Sequence, residues 1–208
     1  MEIITLQNPV VFSSNCYILL SDNSFSVIDP SVSYSDAVKK YPKLEGLTPE
    51  YVLLTHGHVD HFWEIESYIK RGCKAVISKK DAEIISRPDM NCSEFLNGTI
   101  DGYMGDFILI DDGDEISVGG EKFSVIATPG HTAGSVSFLA NDVIFTGDTL
   151  FAGGVFGRYD LPTSDGLSLM HSLKKLFTLD ENLIVYSGHG GPTILKMTKD
   201  SFYNRREI

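Results

Sequence analysis

The sequence predicts an α/β (α+β) fold in which two β-sheets pack face to face and helices cover their outer sides. In both halves of the chain, short apolar runs bounded by Gly, Asn and Asp alternate with a few stretches of helical spacing. Many strands with few helices in each half indicate two packed sheets with helices outside. No Pro-rich or low-complexity linker divides the chain, so we expect a single domain over residues 1–208.

The first half contains most of the hairpin signals. The predicted strands are Glu2–Leu6, Val10–Ser13, Tyr17–Leu20, Phe25–Asp29, Tyr51–Thr55 and Lys74–Ser78. The sequence SDNS after Leu20 predicts a hairpin turn. The predicted helices are Tyr34–Tyr41, Phe62–Arg71, which ends at Gly72, and Lys80–Ile85. Residues 88–105 fit neither pattern. For the Phe62 and Trp63 side chains, the core is favoured over the lip of the pocket.

The second half repeats this arrangement with Asp and Gly turns. The predicted strands are Phe107–Ile110, Glu115–Val118, Lys122–Ala127, Ser135–Leu139, Asp142–Thr146 and Leu183–Ser187. A helix is predicted over Asp165–Phe177, where apolar residues recur at helical spacing, with Ser164 as its N-cap.

The composition excludes several classes of protein. Of the 208 residues, 42% are hydrophobic and 22% charged, which is ordinary for a globular protein. No apolar run reaches the length of a transmembrane helix, and the N-terminus does not resemble a signal peptide. The 3 cysteines are unpatterned, which fits a reducing cytoplasm. The net charge of −11 disfavours nucleic-acid binding, and no pattern indicates an oligomeric interface.

The segment His56-Gly57-His58-Val59-Asp60-His61 places three imidazoles and a carboxylate within six residues. These groups are the ligands that Zn²⁺, Fe²⁺ and Mn²⁺ take in proteins. Such a cluster calls for distant partners that would complete a metal site.

Three further residues have the required context. His131, Asp148 and His189 each follow a predicted strand and lie next to glycine. A ligand on a tight turn past a strand end is aimed by a rigid sheet. We therefore expect these residues and the histidine cluster to share one rim.

The ligands divide into two predicted groups with one residue between them. His56, His58 and His131 form the first group, Asp60, His61 and His189 form the second, and Asp148 bridges them. Such a set holds two divalent metal ions ~3.5–4 Å apart with a bridging hydroxide, and the implied chemistry is hydrolysis. Asp60 and His61 are the candidate catalytic residues, because a carboxylate at this place can orient the hydroxide or take its proton.

Further residues are predicted to support the site. Asp29, at a strand end, and Thr55 are candidates for orienting the ligand histidines. Arg158 and Tyr159 lie in the loop after Asp148 and are candidates for contacting substrate. Pairing of Arg158 with Asp160 is the structural alternative.

The segments THGHVDH, TPGHTAGS, TGDTLF and SGHG, in this order, resemble the metallo-β-lactamase superfamily. The resemblance implies an αββα four-layer sandwich with a dinuclear site at one edge. It also implies ligand roles for His56, His58, Asp60, His61, His131, Asp148 and His189. Within the superfamily, the Asp at the bridging position and the GDTLF and GR.DLP stretches are similar to glyoxalase II-like hydrolases. Only 19 residues follow His189 (208 − 189), too few for the glutathione-binding helical domain of those enzymes.

The resemblance implies a metal-dependent hydrolase that acts on a thioester, for example S-lactoylglutathione or a related acyl-thiol. The expected cofactors are two divalent ions, with Zn²⁺ favoured and Fe or Mn as alternatives. The expected partner is a small-molecule substrate, with neither nucleic acid nor membrane. The alternatives are a persulfide dioxygenase-like oxidoreductase with one Fe²⁺, and a lactone or β-lactam hydrolase.

Overall fold

Two six-stranded sheets form the centre of the protein. The computed structural model describes residues 1–9, 13–96 and 102–205. Sheet A contains β1 (Glu2–Gln7), β2 (Asn15–Leu20), β3 (Ser24–Ile28), β4 (Thr48–Leu53), β5 (Lys74–Ser78) and β6 (Phe107–Ile110). Sheet B contains β7 (Glu115–Val118), β8 (Glu121–Ala127), β9 (Val136–Ala140), β10 (Val143–Gly147), β11 (Ile184–Ser187) and β12 (Thr193–Ile194).

Both sheets are mixed. In sheet A the strands follow chain order, with β1 to β3 antiparallel and β3 to β6 parallel. In sheet B, β7 to β10 are antiparallel, β11 runs parallel to β10, and β12 closes the edge antiparallel to β11. Parallel strands need crossover connections, and the helices supply them on the outer faces.

Six α-helices lie on these outer faces within the described residues. They are α1 (Tyr34–Lys40), α2 (Val59–Phe62), α3 (Ile65–Ile69), α4 (Asp81–Ile84), α5 (Gly166–Leu176) and α6 (Leu195–Asn204). Short 3₁₀ helices occur at Pro42–Gly46, Ser93–Leu96 and Ala152–Gly154. None of the helices in the described residues has the length and apolar character that crossing a membrane requires.

Three apolar layers alternate with the secondary-structure layers. Along β2, Ile18 packs toward α1 and α3 while Tyr17 and Leu19 face sheet B, because successive strand residues point to opposite faces. On sheet B, Phe145 faces sheet A and Ile144 packs under α5 and α6. This is the αββα sandwich that the sequence predicted, and the fold class is confirmed.

Some element predictions were wrong in detail. The helix predicted over Phe62–Arg71 is two short helices, because the Glu64 N–H donates to Pro30 O at 2.8 Å rather than within the helix. Ser164 is not the N-cap of α5; Asp165 is, and its side chain accepts from Ser168 N at 2.7 Å.

One predicted strand falls mainly on residues that the structure does not describe, and two elements were not predicted. The predicted strand Val10–Ser13 lies almost wholly outside the described residues. The sequence analysis predicted neither β12 nor α6, which follow His189 and pack on sheet B through Leu195 and Phe202.

Candidate metal centre

The predicted ligands meet at one edge of the sandwich. His56 follows β4 of sheet A, while His131, Asp148 and His189 follow β8, β10 and β11 of sheet B. The two sheets are joined at this edge by a hydrogen bond from Val136 N to Thr55 O at 2.9 Å. The strand ends therefore bring distant segments together, as the sequence predicted.

The ligand atoms converge into three overlapping groups. In each group the donor atoms lie within 4.8 Å of one another, and the groups are His56, His58, His131; His56, His61, Asp148; and Asp60, His61, His189. Imidazole and carboxylate donors at this spacing fit divalent transition metals. The structure thus supports binding of divalent metal ions at this edge.

Asp148 lies between the two predicted groups. Its carboxylate oxygens are 3.2 Å from His61 Nε2, 3.5 Å from His131 Nε2 and 3.4 Å from His189 Nε2. The side chain therefore reaches histidines of both groups, which is the placement expected of a bridging ligand.

The outer nitrogens of the histidines are held by hydrogen bonds. His61 Nδ1 lies 2.8 Å from Asp29 Oδ2, and His131 Nδ1 lies 2.9 Å from Arg158 O. Thr55 Oγ1 donates to Asp29 Oδ2 at 2.7 Å and lies 3.1 Å from His56 Nδ1. In these three histidines Nδ1 faces an oxygen atom, so Nε2 is the nitrogen that is directed into the site.

Several inward-facing atoms have no hydrogen-bond partner. Among the described residues, His56 Nε2, His61 Nε2 and Asp148 Oδ1 are buried and lack one. Buried polar atoms are nearly always satisfied, so such a cluster calls for a missing partner. Unpaired imidazole and carboxylate acceptors fit a cation, and the residues present therefore fit the metal ions that the sequence predicted.

The electrostatics separate the histidines into two kinds. Burial lowers the pKa of His58 to about 3 and that of His56 well below its ordinary value, so both are neutral ligands at pH 7. Burial also lowers the pKa of His61, but Asp29, Asp60 and Asp148 outweigh it and raise the pKa well above its usual value.

Asp81 was not predicted and connects the two loops of the first group. Its carboxylate is fully buried and accepts from Gly57 N at 2.8 Å, Thr132 Oγ1 at 2.7 Å and Gly134 N at 2.7 Å. Gly57 lies between His56 and His58, and Thr132 follows His131. Asp81 therefore holds all three ligand positions of this group in one arrangement. No local signal marked it, because the sequence KKDAE reads as an ordinary helix start.

Asn15 performs a similar task for the His189 turn. Its Nδ2 donates to Ser187 O at 2.9 Å and Gly190 O at 2.8 Å, and its backbone N–H donates to Gly188 O at 2.6 Å. Tyr17 Oη also donates to Ser187 O. Strand β2 of sheet A thus fixes the turn that carries His189 after β11 of sheet B.

A cavity of about 560 Å³ opens onto the ligands. Arg158 lines it, but Tyr159 does not: its ring is 56% exposed and packs against Phe156 at 6.3 Å between centroids. Arg158 donates to Asp160 at 2.9 and 3.0 Å, which matches the structural alternative for this residue. Trp63 also lines the cavity, so the prediction of a core position was wrong for Trp63, whereas Phe62 is buried as expected.

Comparison with known proteins gives a consistent family. The family profile described as "Metallo-beta-lactamase superfamily" matches residues 9–189. The chain belongs to this superfamily.

Individual relatives carry different functional names. Hydroxyacylglutathione hydrolase GloC of Haemophilus influenzae is 30% identical over 197 residues, which cover 91% of this chain and 92% of the relative. The structure of BLEG-1 B3 metallo-beta-lactamase is 31% identical with a TM-score of 0.84, covering 96% of this chain and 97% of that chain. The structure of TTHA1623 in a di-iron-bound form is 27% identical with a TM-score of 0.82, covering 97% and 98%.

Proposed function

We propose that this protein is a dinuclear metal-dependent hydrolase that cleaves thioesters. The observation that carries the proposal is the position of the Asp148 carboxylate, which contacts His131 of one ligand group and His61 and His189 of the other. A carboxylate between two sets of imidazole and carboxylate donor atoms is the arrangement of a two-ion site. The likeness to hydroxyacylglutathione hydrolase GloC supports the thioester class.

The ligand assignment follows the convergent groups. One ion is assigned to the group of His56, His58 and His131, the second to the group of Asp60, His61 and His189, and Asp148 contacts both. When bound, such ions activate a water molecule for attack and polarise the carbonyl. Zn²⁺ suits these ligands, and the di-iron form of TTHA1623 keeps Fe as the alternative.

The chain's own residues supply orientation and proton transfer. Asp60 Oδ2 lies 3.2 Å from His189 Nε2 and 3.6 Å from His61 Nε2, and Asp60 lines the cavity. We assign the Asp60 carboxylate the task of orienting the attacking water and accepting its proton. His61 is fixed for its part by Asp29, through the contact at Nδ1. The departing thiol has a pKa of about 8.5, so it leaves as a thiolate with little help from an acid.

The proposed setting is the cytoplasm and the proposed partner a small molecule. All three cysteines, Cys16, Cys73 and Cys92, are free in the structure, which is typical of a reducing compartment.

Metal content and turnover test the proposal together. We would measure metals per chain on protein purified without a metal-chelating column, and hydrolysis of S-lactoylglutathione with and without a chelator. About two ions per chain and chelator-sensitive turnover would support the dinuclear thioesterase. Asp148→Asn should lose metal and activity, whereas His171→Gln, a matched histidine on the exposed face of α5, should keep both.

The remaining outcomes separate the alternatives. One iron per chain with oxygen uptake on glutathione persulfide would favour the dioxygenase. Two ions with turnover of a lactone or a β-lactam and of no thioester would keep the metallohydrolase and reject the thioester class.

A further inference from the structure

The cavity beside the ligand cluster has mainly apolar walls outside the cluster itself. They are formed by Trp63, Cys92, Phe95, Phe151, Phe156 and Leu161. Its volume of about 560 Å³ falls in the range of small-ligand pockets. Because the ligand histidines form its floor, a group bound against these walls lies next to the reacting carbonyl.

Several of the aromatic walls are held by packing contacts. Trp63 lies at the break between α2 and α3. The Phe151 ring lies 6.0 Å from the His189 ring, and the Phe156 ring packs edge-on against Phe202 of α6 at 6.0 Å. Aromatic walls held by such contacts are formed before substrate arrives, so little ordering is needed on binding.

Outside the ligand cluster, the described residues that line the cavity offer no unpaired positive side chain. Among the described residues that line it, Arg158 is the one charged side chain outside the ligand cluster. Its guanidinium makes two hydrogen bonds to the Asp160 carboxylate, so the pair carries no net charge. The chain as a whole carries −11, which repels anionic substrates.

We infer that the substrate is a thioester with an apolar acyl group, aromatic or branched, and no net charge near the reacting carbonyl. This inference rests on the proposed thioesterase function. Apolar walls bind such an acyl group by removing its surface from water. A glutathione thioester carries two carboxylates, and the described residues around the ligand cluster offer no unpaired cationic side chain to receive them.

A comparison of acyl groups on one uncharged thiol tests the inference. We would load the enzyme with metal and measure kcat/KM for the acetyl and phenylacetyl thioesters of N-acetylcysteamine, and for S-lactoylglutathione. The phenyl ring adds an aromatic surface to the methyl group, so the phenylacetyl ester should be faster by at least about 100-fold. It should also exceed S-lactoylglutathione by at least about tenfold, with little dependence on salt.

Variants of the cavity walls test whether these walls cause the preference for the phenylacetyl thioester. Phe156→Ala should lower the phenylacetyl-to-acetyl ratio by about tenfold. Phe156 also packs on Phe202, so a second variant is needed that leaves this contact intact. Leu161→Ala removes another wall residue and should lower the same ratio. Val155→Ala is the matched control, because Val155 lies in the same loop, is 41% exposed and does not line the cavity. It should leave the ratio unchanged.

A charge variant tests the second part of the inference. Asp160→Asn removes the partner of Arg158 and frees one cation at the cavity. The kcat/KM for S-lactoylglutathione should then rise by roughly fivefold at low salt, and the gain should vanish at high salt.

The outcomes distinguish the inference from the function on which it rests. If all thioesters are cleaved at similar rates, or S-lactoylglutathione is preferred, the inference is wrong and the thioesterase stands. If no thioester is cleaved while two ions are bound, the proposed function itself is rejected, and the inference with it.

Discussion

Replacement of Asp81 by Asn should weaken one metal position and spare the other. Asp81 accepts three hydrogen bonds at 2.7 to 2.8 Å, from Gly57, Thr132 and Gly134. An amide nitrogen cannot accept, so in either orientation of Asn a buried N–H faces another donor. The lost hydrogen bond to a charged group is worth about 1.5–3 kcal/mol. This energy corresponds to a roughly 10- to 100-fold weaker binding constant.

The effect should be confined to the group of His56, His58 and His131, because Asp81 holds the loops of these residues. His61 of the second group is held by Asp29 rather than by Asp81. Titration of the chelated protein with Zn²⁺ against a competing chromophoric chelator resolves the two binding steps. Asp81→Asn should weaken one step by about 10- to 100-fold and leave the other unchanged.

Two further variants are compared with Asp81→Asn in the same titration. Asp114→Asn alters an exposed carboxylate that accepts from Asp111 N at 2.8 Å, and both binding steps should remain. Asp29→Asn should weaken both steps, because Asp29 contacts His61 directly and reaches His56 through Thr55. Equal weakening of both steps by Asp81→Asn would refute the reasoning, since Asp81 would then act through general stability.

Three further changes have defined outcomes. Gly157→Ala should lower activity by at least about tenfold and reduce metal content, because an added Cβ would overlap the Asp148 carbonyl oxygen. Gly191→Ala is the control, because Gly191 is exposed and an added Cβ meets nothing there. Asp165→Ala should lower the Tm by removing the side-chain cap of α5, as thermal unfolding would show. Lys175 holds the pKa of Asp112 below its usual range, so the ion pair stabilises the fold above about pH 4 and its contribution is lost as the pH falls further. Asp112→Asn should therefore lower the Tm by about 2 °C or less at pH 7, and a difference that does not shrink as the pH falls below about 4 would contradict this.

Much of the sandwich was predictable because strand and ligand signals are local. The period of two along the apolar runs located the strands, and glycine beside His131 and His189 marked turns at strand ends. Both signals depend on neighbouring residues alone, so a single sequence contains them.

The elements that were missed depend on contacts between distant residues. The break at Glu64 results from a hydrogen bond to Pro30, which no local pattern encodes. Helix α6 is stable because Leu195 and Phe202 fit sheet B, whereas most of its other residues are polar. Asp81 reads as a helix-start residue and acquires its role only through loops far away in sequence.

The ligands are divided between the two halves of the chain, and this division has a consequence. Each three-residue group that would hold an ion combines two residues from the His56–His61 segment with one from sheet B. Neither half alone can assemble either position. An ion bound there would therefore join the two halves of the chain through its ligands. The apolar walls of the cavity are formed by residues other than these ligands. Substitutions of these wall residues can change which substrate the protein binds without altering the residues that join the two halves.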